Sequence, residues 1–199
     1  KHFDISHFTV IRIYAEQFYS GLYEQHLKGG ASKKGVLSLS WKDFLEGIAD
    51  EHDKYNLGLH EIAHALKINV TEGSDFDMRF SSYLDRWLEI GSKEFTKMKH
   101  AQESFLRKYA GTNMHEFFAV CVEHFFEAPE DFKKHLPNIY NHLCVLLNQD
   151  PLSPDSDYQL SENFKTEVNR DRRLIPIPDK IQRSLKYVNW HWSHTIMIT

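Results

Sequence analysis

Two histidines and a glutamate stand within one short apolar stretch of the chain, NLGLHEIAHALKINV at residues 56–70. His60 and His64 are four residues apart, and Glu61 directly follows the first of them. On a helix, residues four apart project from the same face, so both imidazoles can bind one metal ion. The H-E-x-x-H pattern therefore predicts a zinc site with an open position for water, and Glu61 is placed to take a proton from that water.

The residues around the motif indicate that its helix is buried. A helix is predicted over residues 56–67, and its apolar positions follow helical spacing at Leu59, Ile62, Ala63 and Leu66. Burying two imidazoles and a carboxylate on such a helix costs free energy unless a ligand or a hydrogen-bond partner satisfies them. These surroundings favour a metal site over a chance occurrence of a short motif.

A site of this kind needs a third protein ligand, and a second apolar helix offers two candidates. A helix is predicted from Asn113 to Glu127, and it is apolar nearly all round, which is typical of a buried helix. Glu116 and Glu123 are seven residues apart and therefore share a face of this helix. Ala119 lies between them and is small enough to let another helix come close.

Spacing alone leaves the choice between the two carboxylates open. Glu116 also fits a capping box with Asn113, a role that needs no metal. Glu123 also fits a buried carboxylate that is hydrogen-bonded to a neighbouring helix. A closed, structural zinc site is an alternative to a catalytic one.

The remaining patterns predict the elements that must position these side chains. Residues 7–14 and 36–41 are predicted strands, and the Gly/Lys-rich residues 25–35 between them are a predicted loop. Further helices are predicted over residues 42–48, 78–100 and 136–149, and Pro129 is predicted to end the helix that carries Glu116. The predicted class is α+β, mostly helical, with a small early β-sheet.

The composition changes near residue 152, where DPLSPDSD is typical of turns and linkers. We predict a domain over residues 1–152 and a C-terminal extension over residues 153–199, with a linker and a short helix at 179–188. We interpret His191 and His194 in this extension as part of an aromatic packing strip or of a chain end, rather than as a second metal site.

Bulk properties argue against several classes of partner. The net charge of −4 provides no basic footprint, so nucleic acid is not an expected partner. No apolar run approaches the roughly 18–20 residues that a membrane span needs.

Cys121 and Cys144 lie in apolar helical patterns, which suits buried thiols in a reducing compartment. We expect a cytoplasmic location, and a membrane anchor upstream of Lys1 stays open.

Two long blocks carry a resemblance to a known family. GVLSLSWKDFLEGIADEHDKYNLGLHEIAHAL and the later EFFAVCVEHFFEAPEDF…LPNIYNHLCVLLNQDP resemble the Mlc titration factor A family of zinc metallopeptidases. The resemblance covers about residues 8–152, and that family is related to the catalytic domain of anthrax lethal factor. It implies a zincin-like, gluzincin-like fold and hydrolysis of peptide bonds that depends on one zinc ion.

The resemblance implies roles for individual residues. His60, His64 and Glu116 correspond to the zinc ligands, and Glu61 corresponds to the general base. The family often has Asp where this chain has Lys67, and since a cation beside a metal ion is unfavourable, we expect Lys67 to point outward.

Two further positions match the family pattern. Tyr109 lies seven residues before Glu116, where the family has a tyrosine that is thought to stabilise the oxyanion. Glu123 matches a second acidic position behind the ligands, which suits a carboxylate that orients a ligand histidine.

The expected partner is a peptide or protein substrate. Some members of the resembled family bind a transcriptional repressor of the Mlc type. The alternative function is therefore a regulatory binding protein in which zinc mainly supports the fold.

Overall fold

The computed structural model describes residues 5–72, 78–101, 104–153 and 197–198, and most of this part of the chain is helical. The helices are α1 (Trp41–Ala49), α2 (Leu57–Glu72), α3 (Met78–His100), α4 (Met114–Glu127), α5 (Pro129–His135) and α6 (Pro137–Leu147), with a 3-10 helix at Lys108–Gly111. The strands are β1 (Val10–Tyr14), β2 (Phe18–Ser20), β3 (Gln25–Leu27), β4 (Gly29–Ser32), β5 (Val36–Ser40) and β6 (Met197–Ile198). The predicted class, α+β and mostly helical with a small sheet, is confirmed.

The larger sheet has four strands in the order β4-β5-β1-β6. Strand β1 runs parallel to β5, with Val10 beside Val36, and also parallel to β6. Strand β4 is antiparallel to β5 and forms one edge of the sheet among the described strands. Strands β2 and β3 form a separate antiparallel pair. The edge strand β4 contacts helix α2, which carries the H-E-x-x-H motif.

The predicted loop over residues 25–35 is wrong, because this segment contains strands β3 and β4. Strand β4 begins Gly29-Gly30, a composition that disfavours strands locally. Its pairing with β5, where Gly29 lies opposite Leu39, and its packing on α2 supply what the local sequence lacks. Strand formation here depends on tertiary contacts.

Helix α2 starts as predicted but extends to Glu72, beyond the predicted end at residue 67. At its start, the side-chain oxygen of Asn56 accepts a hydrogen bond from the Leu59 N–H at 3.0 Å, which caps the helix. Near its end, the buried side chain of Asn69 accepts a hydrogen bond from the His7 N–H at 3.1 Å. The contact with His7 stabilises the last turn of α2, which the sequence pattern did not predict.

Pro129 has a second role that the sequence analysis missed. Helix α4 ends at Glu127 as predicted, but Pro129 then begins α5 in the first-turn position. Proline suits that position because its missing N–H would have no partner within the helix and its φ angle is already helical.

Helix α4 lies at the centre of the core. Its residues Phe117, Phe118 and Phe125 are at most 1% exposed, and the Phe118 ring contacts Trp87 of α3 at 4.8 Å between centroids. Cys121 and Cys144 are both buried, as predicted. Helix α4 is therefore a rigid support for any side chain that it presents to α2.

The C-terminal extension falls almost entirely outside the described residues. The predicted helix at 179–188 and both His191 and His194 lie there, so the predictions about them and about the boundary at residue 152 stand as predictions. Among the helices of the described segments, none combines the length and the apolar character needed to cross a membrane.

Candidate metal centre

Helices α2 and α4 bring His60, His64 and Glu116 together. The two Nε2 atoms of the histidines lie 3.1 Å apart. Glu116 Oε2 lies 3.0 Å from Nε2 of His60 and 3.6 Å from Nε2 of His64. Among the described residues, these three side chains form the group whose donor atoms converge in a way that could hold a metal ion.

The donor geometry fits a zinc ion. Zinc–nitrogen and zinc–oxygen bonds of about 2.0–2.1 Å in a tetrahedron place neighbouring ligand atoms about 3.3 Å apart. The three donor–donor distances of 3.0, 3.1 and 3.6 Å lie around this value. Two imidazole nitrogens and one carboxylate oxygen are also a donor set that zinc accepts while a fourth position stays open.

The start of helix α4 places Glu116. The Asn113 side chain caps the helix by accepting hydrogen bonds from the N–H groups of His115 at 2.8 Å and Glu116 at 3.1 Å. The Glu116 carboxylate itself faces α2, so the cap predicted at Asn113 and the contact with His60 coexist. Ala119 is completely buried, as expected for a small residue at a close helix contact.

Glu123 lies behind His60 and does not belong to the converging group. Its Oε1 atom lies 2.7 Å from Nδ1 of His60, and its Oε2 accepts a hydrogen bond from the Asn56 N–H at 2.9 Å. Burial opposes ionisation of this carboxyl group, yet the hydrogen bonds from His60 and Arg107 lower its pKa. The carboxylate therefore accepts a proton-bearing Nδ1 and leaves Nε2 of His60 directed at the other two donors.

Arg107 is a part of this arrangement that sequence reasoning missed. Its guanidinium forms two hydrogen bonds with the Glu123 carboxylate, at 2.6 and 3.0 Å. No periodic pattern marks this arginine in the sequence. Its position two residues before Tyr109 is the one signal that could have directed attention to it.

Acidic side chains favour the charged form of the His60 imidazole. Burial disfavours the charged imidazole, but hydrogen bonds with Glu116 and Glu123 raise the pKa of His60 to about 9. Burial likewise opposes ionisation of Glu116, and the hydrogen bonds from both histidines lower its pKa. The carboxylates that favour the charged form of His60 would also favour a bound cation.

Glu61 is almost completely buried beside the centre, with 5% of its surface exposed. Its Oε2 atom has no hydrogen-bond partner among the described residues. Burial raises the pKa of Glu61 to about 7; the charge of His60 opposes this shift, and the charges of Glu116 and Glu123 add to it. A carboxylate with such a pKa can both accept and return a proton near neutral pH.

Tyr109 is carried by the 3-10 helix and lies beside the converging group. Its ring centroid is 6.0 Å from that of His60, and half of its surface is exposed. Burial of the hydroxyl, the charge of Glu116 and a hydrogen bond to it raise the pKa of Tyr109 to about 12. The phenol therefore keeps its proton and can act as a hydrogen-bond donor.

Lys67 does not point outward as expected. Its side chain is half-buried, and its Nζ atom lies 5.6 Å from the ring centroid of Phe118, a completely buried residue of α4. Burial lowers the pKa of Lys67, and the aromatic face stabilises the ammonium group in this position.

The chain is similar in sequence to curated proteins that share one name. The chain is 29% identical over 149 residues to Mlc titration factor A of Yersinia pestis (strain Pestoides F), covering 65% of this chain and 50% of the relative. Mlc titration factor A of Yersinia pseudotuberculosis serotype O:1b (strain IP 31758) matches with the same identity and coverage. The chain spans about half the length of these curated relatives.

A family-level match covers most of the chain. Residues 7–146 match the family described as glucose-regulated metallo-peptidase M90. This range includes every residue of the converging group, together with Glu61, Tyr109, Arg107 and Glu123. A candidate metal centre on two packed helices and a match of this extent lead to one conclusion: the chain belongs to the glucose-regulated metallopeptidase M90 family.

Proposed function

We propose that this chain is a zinc-dependent peptidase whose single zinc ion is held by His60, His64 and Glu116. The observation that carries the proposal is the convergence of three donor atoms within 3.0–3.6 Å of one another beside the buried carboxylate of Glu61. A purely structural site has no need of a nearly buried glutamate whose pKa is raised to about 7.

The chain's own residues provide the proton transfers. A zinc ion in this centre would polarise a water molecule and the carbonyl group of the scissile peptide bond. Glu61 takes the proton of the attacking water, because its buried carboxylate lies beside the converging donors and its Oε2 atom has no hydrogen-bond partner among the described residues. The same carboxyl group then gives the proton to the leaving amine.

Tyr109 and Glu123 have supporting roles in this proposal. The Tyr109 hydroxyl, which stays protonated, donates a hydrogen bond to the oxyanion that develops on the carbonyl oxygen. Glu123 keeps Nε2 of His60 directed at the metal through the contact at Nδ1.

The test combines metal analysis with peptide cleavage. The purified chain is expected to contain one zinc ion and to cleave a mixed peptide library, and a chelator abolishes cleavage until zinc is restored. Glu61→Gln retains zinc but loses hydrolysis, whereas Glu46→Gln, which changes an exposed glutamate of α1, retains both. Full hydrolysis by the Glu61→Gln variant would refute the assignment of the base.

The name of the relatives favours a second candidate function. Mlc titration factor A is a name that refers to the regulator Mlc, so this chain is alternatively a binding protein for a transcriptional repressor, with zinc mainly structural. In that case Glu61→Gln leaves repressor binding unchanged while zinc removal weakens it. Binding measured by calorimetry, set beside cleavage of the library, separates the two functions.

A further inference from the structure

Arg107 connects the candidate metal centre to two neighbouring segments. Its side chain is 16% exposed, and it immediately precedes the 3-10 helix that carries Tyr109. Nη2 donates to Oε1 of Glu123 at 2.6 Å, and Nη1 donates to Oε2 at 3.0 Å. The guanidinium thus binds both carboxylate oxygens. This two-point contact determines the plane of the carboxylate and favours its charged form.

The orientation of Glu123 is passed on to His60. The oxygen that accepts from Nη2 of Arg107 is also the oxygen that lies 2.7 Å from Nδ1 of His60. An imidazole that donates a hydrogen bond from Nδ1 has a lone pair on Nε2 that can bind a metal. The position of the acceptor at Nδ1 determines the orientation of the ring and therefore the direction of this lone pair. Rotation of the carboxylate would therefore turn the ring away from Glu116.

The same guanidinium holds the segment that leads into helix α2. Nη1 donates to the Lys54 carbonyl oxygen at 2.6 Å, and the guanidinium carbon lies 4.2 Å from the centroid of the Tyr55 ring. Tyr55 is followed by Asn56, which caps α2 and donates its N–H to Glu123. Arg107 thus contacts Glu123 of α4 and the Lys54–Tyr55 segment before α2, and its guanidinium lies 6.0 Å from the Tyr109 ring.

We propose that Arg107 is a positioning residue for the metal centre: its two-point contact orients Glu123, which in turn holds His60 in the metal-binding orientation. This inference rests on the proposed function. The competing explanation is that Arg107 merely anchors the Lys54–Tyr55 segment to the core, in which case it affects stability but not zinc binding.

The experiment measures zinc affinity by competition with a chromophoric chelator for the full chain and three variants. Arg107→Met removes the charge, Arg107→Lys retains a charge but not the two-point contact, and Lys108→Met is the matched control at an exposed neighbour. Arg107→Met is expected to weaken zinc binding about 10- to 100-fold, the range for loss of a group behind a metal ligand. The zinc affinity of Arg107→Lys is expected to lie between that of Arg107→Met and that of Lys108→Met, which is expected to equal the affinity of the unaltered chain.

A double-mutant cycle keeps the proposal testable even if Arg107→Met does not fold. Arg107→Lys and Glu123→Gln are compared singly and together, because an arginine that acts through Glu123 has no further effect once that carboxylate is gone. Thermal unfolding of the metal-free variants is recorded alongside. The expected result is a loss of zinc affinity for Arg107→Lys that disappears in the Glu123→Gln background.

Two outcomes overturn the inference. One is a lower unfolding temperature for Arg107→Lys with unchanged zinc affinity, and the other is fully additive losses in the cycle. Either result leaves the proposed function intact as long as the unaltered chain binds zinc and cleaves peptides. Failure of the unaltered chain to bind zinc contradicts the proposed function itself and is thus distinguishable.

Discussion

The backbone of Gly29 on the edge strand β4 lies directly against the side chain of Glu61 on helix α2. A Cβ atom at residue 29 would lie only 2.7 Å from both Cγ and Cδ of Glu61, whereas a Cβ atom at Gly30 would meet nothing within 4 Å. A glycine is required at the first position because only an absent side chain permits this approach. The strand thereby covers the carboxylate that we propose as the general base.

Gly29→Ala is expected to displace the Glu61 carboxylate and to reduce kcat for peptide cleavage by about 100-fold, the effect of a displacement of about 1 Å at a reacting group. Zinc content is expected to stay at one ion, because the atoms nearest to the new methyl group all belong to Glu61. Gly30→Ala is the matched control, since its methyl group enters open space. Equal kcat values for the two variants would show that β4 does not position the base.

Glu116→Ala and Glu123→Ala are expected to differ in the amount of zinc that they retain. Glu116 Oε2 lies within 3.6 Å of both histidine Nε2 atoms, whereas Glu123 contacts the opposite nitrogen of His60. Loss of Glu116 therefore removes a ligand and the bound zinc, while loss of Glu123 weakens affinity about 10- to 100-fold. Metal analysis of both purified variants decides, and the reverse order would refute the ligand assignment.

Tyr109→Phe is expected to lower kcat by about 100- to 1000-fold with little change in KM, as for other donors to a developing oxyanion. The hydroxyl does not belong to the converging group, so the variant is expected to retain one zinc ion, with only a small change in zinc affinity from loss of the hydrogen bond to Glu116. Tyr23→Phe, at an exposed tyrosine outside the described site, serves as control. A change in zinc affinity with unchanged kcat would assign Tyr109 to the support of the ligands instead.

Zinc affinity is expected to rise with pH up to about 9. Hydrogen bonds with Glu116 and Glu123 raise the pKa of His60 to about 9 against the effect of burial, so the metal-free imidazole is protonated below that pH. Zinc must displace this proton, and the apparent affinity therefore increases up to about tenfold per pH unit below pH 9 and levels off above it. Competition titrations between pH 6.5 and 9.5 measure the slope, and a flat profile would contradict the raised pKa.

Helix α2, which carries His60 and His64, was predictable because its signal is local. The four-residue spacing of His60 and His64 coincides with the turn of a helix, and neighbouring apolar residues supply the same period. The nearly continuous apolar character of α4 likewise identified a buried helix from Asn113 to Glu127 without any knowledge of its partners.

Tertiary contacts decided what local patterns could not. Both Glu116 and Glu123 face α2, and their different relation to the two nitrogens of His60 follows from how α2 and α4 pack, not from their spacing. Arg107 has no periodic signal, and its contact with Glu123 bridges segments that the chain folds together.

Strand β4 shows most clearly how local sequence and tertiary contacts differ in what they determine. Gly29 and Gly30 disfavour a strand on their own, and β4 forms because β5 pairs with it and α2 packs beneath it. By itself, the sequence determined the helices that carry His60, His64 and the two candidate carboxylates, since helical periodicity is written into neighbouring residues. The packing of distant segments decided which carboxylate lies near both histidine Nε2 atoms, which arginine contacts the other carboxylate and which glycine lies against Glu61, because those relations depend on close approach in space.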